Sequence, residues 1–181
     1  MYRFMLTLLA LSTTLGVSAS TVYAGSSLRD DLTEPFWLSR IEVQNPSYEG
    51  AIIKKGTVLR LQADGTPANT LRSVQLNTKS PRFHVPDYAR VEVSRDGDIT
   101  AGPGAMSLSK DTRLVVLDLK VSGDRVRLLT HTVAPVRLPD GKAAYGCTEF
   151  VFAFDPGSLE RADLDTIAGR IGQVLTRNSN G

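Results

Sequence analysis

The side chains best suited to chemistry lie together between Asn77 and Tyr88, in a segment braced by two prolines. Within it, His84 and Asp87 are three residues apart and could transfer a proton, and the Tyr88 hydroxyl could assist them. Arg82 adds a cation, and loops of this kind often carry binding residues. The alternative is a rigid connection whose apolar side chains pack inward. We therefore treat these four residues as binding candidates and assign none of them as catalytic.

Cys147 is the only cysteine of the chain, so no intramolecular disulfide can form and packing must hold the fold. Its sequence context is a strand, in which alternate side chains share a face. One face then carries Cys147, Glu149, Val151 and Ala153, and the other carries Thr148, Phe150, Phe152 and Phe154. The phenylalanine face predicts the core. Cys147 is then a buried, small apolar residue, the commonest fate of a free cysteine, and His131 is an ordinary strand residue.

Motifs for nucleotide, zinc or serine-hydrolase chemistry do not occur in the chain. Two histidines and one cysteine cannot build a standard structural zinc site, and Asp96-Gly97-Asp98 does not continue as a calcium loop. With 21 basic and 19 acidic residues the chain is almost neutral, which disfavours nucleic acid and anionic lipid as partners. The sequence thus predicts neither a metal site nor a cofactor.

The first 24 residues read as a cleavable signal peptide. Arg3 precedes an apolar run from Phe4 to Val17, and Val22-Tyr23-Ala24 predicts cleavage between Ala24 and Gly25. A run of about 14 residues spans about 21 Å, which is too short for a hydrocarbon core of about 30 Å. We expect a secreted or periplasmic protein without stable membrane insertion after cleavage, and one domain in the remaining residues.

Alternating apolar residues and turn signals predict a β fold. The turn dipeptide Asp64-Gly65 ends a strand that begins at Val58 and predicts a hairpin with residues 71–76, and Asp96-Gly97 predicts a second hairpin. The third hairpin joins Leu114–Val121 to Arg125–Thr132, with one face formed by Val115, Leu117, Leu119 and Val121. A turn at residues 139–141 leads into the phenylalanine strand. Short strands at this spacing favour an antiparallel small barrel or a sandwich.

The remaining segments flank this β region. Residues 25–46 predict a polar leader with an aromatic anchor, in which Trp37 belongs to the core. Apolar residues at helical spacing predict a closing amphipathic helix over about residues 163–176, with Asp163 as its N-cap and a disordered tail over residues 177–181. The stripe consists of Leu164, Ile167, Ile171, Val174 and Leu175. The β domain with its helix then spans residues 47–176.

The layout of the chain resembles that of uncharacterised secreted bacterial proteins that form a small β-barrel of SH3-like size. The shared features are a signal peptide, short strands separated by turns, a Phe-x-Phe-x-Phe strand and one closing helix. The resemblance covers about residues 50–175 and implies no activity that can be transferred to particular residues.

Three functions are compatible with the sequence. The first is a non-enzymatic binding or envelope-associated module whose partner is a protein, peptide or glycan, with Arg82, His84, Asp87 and Tyr88 as its face. The second is a secreted hydrolase or isomerase that uses the loop with His84 and Asp87. The third is a carrier of a small apolar ligand inside the barrel, which a core filled by the three phenylalanines would exclude.

Overall fold

The structure, a computed structural model, describes residues 24–33, 35–44, 49–70, 88–161 and 164–177. These residues form a mainly β fold in which one large sheet curls into half a barrel. Two short helices pack against the concave core of this sheet, because both contribute buried side chains to its apolar cluster.

The two helices are α1 (Ala24–Thr33) and α2 (Leu164–Gly172). The strands before the central hairpin are β1 (Arg40–Gln44), β2 (Glu49–Lys54), β3 (Val58–Leu61), β4 (Thr66–Thr70), β5 (Ala89–Val93), β6 (Ile99–Ala101) and β7 (Met106–Leu108). The strands that follow are β8 (Arg113–Ser122), β9 (Arg125–Thr132), β10 (Val136–Arg137), β11 (Ala143–Ala144), β12 (Gly146–Ala153) and β13 (Leu175–Arg177).

The large sheet has the strand order β13-β3-β8-β9-β12-β4-β7. Strand β5 pairs with the distal half of β12, beyond β4, and β6 pairs with β5. Two separate ladders, β1 with β2 and β10 with β11, complete the β structure of the described residues. Strand β12 is therefore central, since it contacts β9 on one edge and both β4 and β5 on the other.

Two of the predicted hairpins are confirmed. Strands β8 and β9 pair in antiparallel register up to Ser122 and Arg125, and the turn contains Gly123 at a φ of 58°. Strands β5 and β6 pair across a turn with Gly97 at a φ of 93°. Left-handed φ values are accessible to glycine without a Cβ clash, so these turns follow directly from the sequence.

The hairpin predicted at Asp64-Gly65 is wrong. The chain does turn there, but β3 pairs with β8 and β13, whereas β4 pairs with β12 and β7. The returning strand expected at residues 71–76 lies outside the described residues. The expectation of purely antiparallel pairing also needs correction, because β5 and β12 run parallel. Turn residues predict that the chain reverses direction at this point. They do not predict which strand the following segment pairs with.

The predicted common face of β8 is broken by a bulge. The register with β9 shifts between Val116 and Asp118. The inward and outward alternation of side chains before Leu117 therefore does not continue after it. Leu119 accordingly lies in the main core cluster, whereas Val115 is buried outside it.

The phenylalanine face forms the core, as predicted. Phe150 and Phe152 are fully buried, Phe154 is nearly so, and all three belong to one apolar cluster with residues of the curled sheet and both helices. Buried threonines flank this face and satisfy their hydroxyls within the sheet: Thr130 donates to the carbonyl oxygen of Thr148 and Thr148 donates to that of Pro67, both at 2.8 Å.

The leader contains a helix that the sequence analysis did not predict. Helix α1 places Leu28 and Leu32 in the core against β8. The aromatic anchor is Phe36, which is 2 % exposed, and not Trp37, which is 63 % exposed. The predicted cleavage site coincides with the first residues of α1, and residues 1–23 lie outside the described residues.

The closing helix is shorter than predicted. Helix α2 ends at Gly172, Val174 lies in a turn, and Leu175 begins an edge strand that pairs with β3. Arg177, expected in a disordered tail, is the last residue of that strand. Asp163 and residues 178–181 are outside the described residues. Across the described ranges, neither helix has the length and apolar character needed to span a bilayer.

Candidate functional site

Of the four predicted binding residues, Arg82, His84 and Asp87 lie outside the described residues, and their roles stay predictions. Tyr88 is described: it is half-buried and directly precedes β5. Because Ala89 pairs with Thr148 in parallel register, Tyr88 stands one step back, beside Cys147. Burial raises the pKa of the Tyr88 hydroxyl, and the nearby groups of Cys147, Asp118 and Glu149 raise it further. The hydroxyl is therefore protonated at neutral pH and can donate a hydrogen bond.

Next to Tyr88, the second face of the sheet buries an imidazole and a thiol on paired residues. His131 and Cys147 are cross-strand partners in β9 and β12, and the Tyr145 ring stacks on His131 at a centroid distance of 4.9 Å. Burial lowers the pKa of His131 to about 4 and raises that of Cys147 to about 12. A cysteine nucleophile requires the opposite shifts, a thiolate beside an imidazolium. Both side chains are therefore neutral at pH 7. The predicted burial of Cys147 is confirmed.

The Cys147 thiol should react very slowly with a disulfide reagent such as DTNB while the protein is folded. The side chain is 1 % exposed, and a pKa of about 12 instead of 9.0 lowers the thiolate fraction about a thousandfold at neutral pH. In urea the same thiol should react at the rate of a free cysteine. An exposed thiol introduced by Ser122→Cys in a Cys147→Ser background supplies the control. Equal native rates for the two proteins would contradict the burial of Cys147.

A buried carboxylate on the same face is neutralised by arginines. Glu149 accepts two hydrogen bonds from the Arg127 guanidinium, one of them at 2.8 Å, and lies 3.6 Å from Nε of Arg90. Arg90 in turn contacts Glu92 at 2.9 Å. The two arginines and two glutamates balance in charge, so this network is a structural ion-pair cluster and offers no unpaired group to a ligand.

The strongest candidate site is an open groove of about 850 Å³ on the surface, which we call the Trp37 groove. Three separate parts of the chain line it: Pro35 and Trp37 after α1, the β2–β3 connection with the first residue of β3 (residues 55–58), and the α2–β13 end of the fold. From that last part come Leu164, Asp165 and Ala168 of the helix and Arg177 of the edge strand. The groove is therefore formed by the tertiary fold and not by one local segment.

The backbone that carries Trp37 is held firmly although its ring is exposed. The amide of Trp37 donates to the Thr57 hydroxyl at 2.9 Å, and its carbonyl accepts from the Thr57 amide at 2.8 Å. Two residues on, the Ser39 amide donates to the carbonyl of Val116 at 2.7 Å, which ties the segment to the large sheet. Phe36 lies in the turn that follows α1, where its amide donates to the carbonyl of Leu32 at 3.1 Å, and its ring is buried while the next residue, Trp37, is exposed.

Gly56 makes this close approach possible. A Cβ built on Gly56 would lie 2.0 Å from the carbonyl oxygen of Trp37, so any other residue would displace the segment. The Gly56 amide also donates to the Ser39 hydroxyl at 2.6 Å. The wall of the groove is therefore fixed by a backbone contact that only glycine permits.

The groove combines an aromatic ring, aliphatic walls and an excess of positive charge. Lys55 and Arg177 are exposed cations, Asp165 is the one carboxylate among the lining residues, and Trp37 is the largest exposed apolar side chain. The described lining contains no cysteine, histidine or serine, and no group of three potential metal ligands occurs in the described ranges. Such a lining can bind and orient a partner through contact and charge.

Sequence reasoning placed Trp37 in the core and so missed the groove. The one available signal was the adjacent pair Phe36-Trp37, two aromatic rings of which the fold buries one and exposes the other. No protein-family description, no curated protein and no solved structure matches this chain.

Proposed function

We propose that this chain is an exported, non-enzymatic binding module of the cell envelope whose partner docks in the Trp37 groove. The proposal includes the predicted signal peptide, the secreted or periplasmic location and the small-barrel architecture, for which the curled sheet is the supporting observation. The single observation that carries it is a tryptophan presented to solvent on a fixed backbone at the edge of an open groove.

The exposed indole ring of Trp37 is apolar surface in contact with water, and burying it against a partner would be favourable in free energy. Full burial of a large apolar side chain is worth about 1.5–3 kcal/mol or more, and the neighbouring Phe36 shows that the fold can bury an aromatic side chain at this point. Tryptophan and arginine are also the residue types that dominate binding energy at protein interfaces. A fold that instead presents Trp37 beside Arg177 is therefore arranged for contact with a partner.

The other two hypotheses receive less support from the described residues. Phe150, Phe152 and Phe154 pack in the interior, so the space that an apolar cargo would need is filled by side chains. The hydrolase or isomerase hypothesis depends on His84 and Asp87, which lie outside the described residues, while Tyr88, its third member, is half-buried and protonated.

Replacing Trp37 with alanine should abolish capture of the partner from an envelope extract of the source organism. Truncation of a central aromatic anchor costs at least about 2 kcal/mol, which corresponds to about a thirtyfold loss of affinity. Because Trp37 is the only tryptophan of the chain, its fluorescence reports directly on the groove. Binding of the purified partner should shift the emission to the blue and protect it from iodide quenching, in a saturable manner.

Ile99→Ala provides the control, because Ile99 is another large exposed apolar side chain, 53 % exposed, that does not line the groove. This variant should capture the partner as the wild type does. Equal capture by wild type and Trp37→Ala would remove the groove from the proposal. If capture survived Trp37→Ala but was abolished by replacing Arg82, His84 and Tyr88 together, the binding surface would be the loop predicted from the sequence.

A further inference from the structure

Two cations of the Trp37 groove are available to a ligand. Lys55 and Arg177 are exposed, and neither takes part in the ion pairs found among the residues that the structure describes. Asp165 lies in the first turn of α2, where the partial positive charge of the helix N-terminus already compensates part of its charge. The described lining therefore carries two cations against one carboxylate, an excess of positive charge, although the whole chain is almost neutral.

The remaining lining suits a peptide better than a carbohydrate. Pro35, Val58, Leu164 and Ala168 give apolar walls that can pack against aliphatic or aromatic side chains. A neutral glycan presents many hydroxyl groups, and beyond Lys55, Arg177 and Asp165 the described lining offers few polar side chains to pair with them. The one lining hydroxyl, that of Thr57, is already engaged with the carbonyl of Pro35 and the amide of Trp37.

We propose that the occupant of the Trp37 groove is an acidic segment of a protein partner, with carboxylates facing Lys55 and Arg177 and an apolar side chain packed on Trp37. This inference rests on the proposed function and adds the chemical class of the ligand to it. Since the cations are exposed, the affinity should fall as the salt concentration rises.

A random peptide display library selected on the purified protein tests the proposal. The enriched peptides should combine Asp or Glu with apolar residues. A synthetic copy of an enriched peptide should bind at least about tenfold more weakly to the Lys55→Glu, Arg177→Glu double variant, and about thirtyfold more weakly to Trp37→Ala. The matched control is Lys110→Glu with Arg113→Glu, which makes the same change in net charge at two exposed cations outside the groove and should leave the affinity unchanged.

The outcomes separate this inference from the proposed function. Enrichment of neutral or basic peptides would overturn the inference of an acidic ligand, and so would equal loss of affinity in both double variants. In either case the proposed function stands if Trp37→Ala still loses binding. Heparin and polygalacturonate serve as anionic polysaccharide probes. If one of them binds in a Trp37-dependent manner and no peptide is selected, the acidic peptide ligand is again overturned and the proposed function stands. A blue shift of Trp37 emission with rising protein concentration alone would identify a second copy as the occupant. If no probe binds in a Trp37-dependent manner, both proposals fail.

Discussion

Replacing Phe152 with alanine should lower the free energy of unfolding by about 3–5 kcal/mol, the usual cost of removing a buried aromatic ring from a well-packed core. Phe152 is fully buried on β12, where it lies opposite Val126 of β9 and Val93 of β5, and both of these valines are buried as well. Because three strands meet at this position, the cavity would have little freedom to collapse. Urea unfolding followed by circular dichroism measures the loss.

Trp37→Ala is the matched control, because it removes an aromatic ring from an exposed position. Surface substitutions usually change stability by no more than about 0.5 kcal/mol. A small effect for Trp37 and a large one for Phe152 would also show that the binding defect expected of Trp37→Ala does not come from unfolding. Similar losses for the two variants would refute the assignment of Phe152 to the core and Trp37 to the surface.

Stability should fall as the pH is lowered from about 6.5 towards 4, and His131 should account for up to about 3 kcal/mol of that fall. Burial holds the folded-state pKa of His131 near 4, below its ordinary value of 6.5. Between these values the unfolded chain binds a proton that the folded protein does not, so acid favours unfolding. Above pH 6.5 the imidazole is neutral in both states and this contribution is fully present.

The surroundings of His131 explain why it resists protonation. Its Nδ1 lies 2.7 Å from the carbonyl oxygen of Thr132, and since a carbonyl only accepts, Nδ1 must carry the proton. The other nitrogen, Nε2, is buried without a hydrogen-bond partner among the described residues, so a proton added there would be a buried, uncompensated charge.

Unfolding midpoints measured across this pH range for wild type and His131→Phe test the prediction. The phenyl ring retains the planar contact with Tyr145 and has no titrating group, so the variant should lose most of the difference between neutral and acid stability. His131→Leu provides a second non-titrating variant if the phenylalanine packs poorly. Parallel pH profiles for wild type and both variants would show that other groups, chiefly carboxylates, control the acid response.

Several elements followed from the sequence because their causes are local. The β8–β9 hairpin depends on alternating residues around Gly123, and the β5–β6 hairpin depends on the turn at Gly97. The buried face of β12 depends on the alternation that places Phe150 and Phe152 together. In each case the information lies within a few residues, and side-chain geometry allows one arrangement.

Other features required contacts between distant residues. Turn chemistry does not encode the strand partners of β3 and β4, the parallel pairing of β5 with β12 or the bulge after Val116, because each is set by how strands pair within the sheet. Helix α2 stops at Gly172, and of the last two apolar residues of its stripe Val174 lies in a turn and Leu175 pairs with β3 in an edge strand. Tertiary pairing here overrides a helical pattern of apolar residues.

The sequence by itself determined the mainly β class, the central hairpin, the phenylalanine core and the burial of Cys147. Only the tertiary structure decided that Phe36 faces inward and Trp37 outward, and that residues near positions 37, 56 and 177 form one groove. The physical reason is that a strand pattern specifies which side chains share a face. Which face is covered depends on segments that are distant in the sequence.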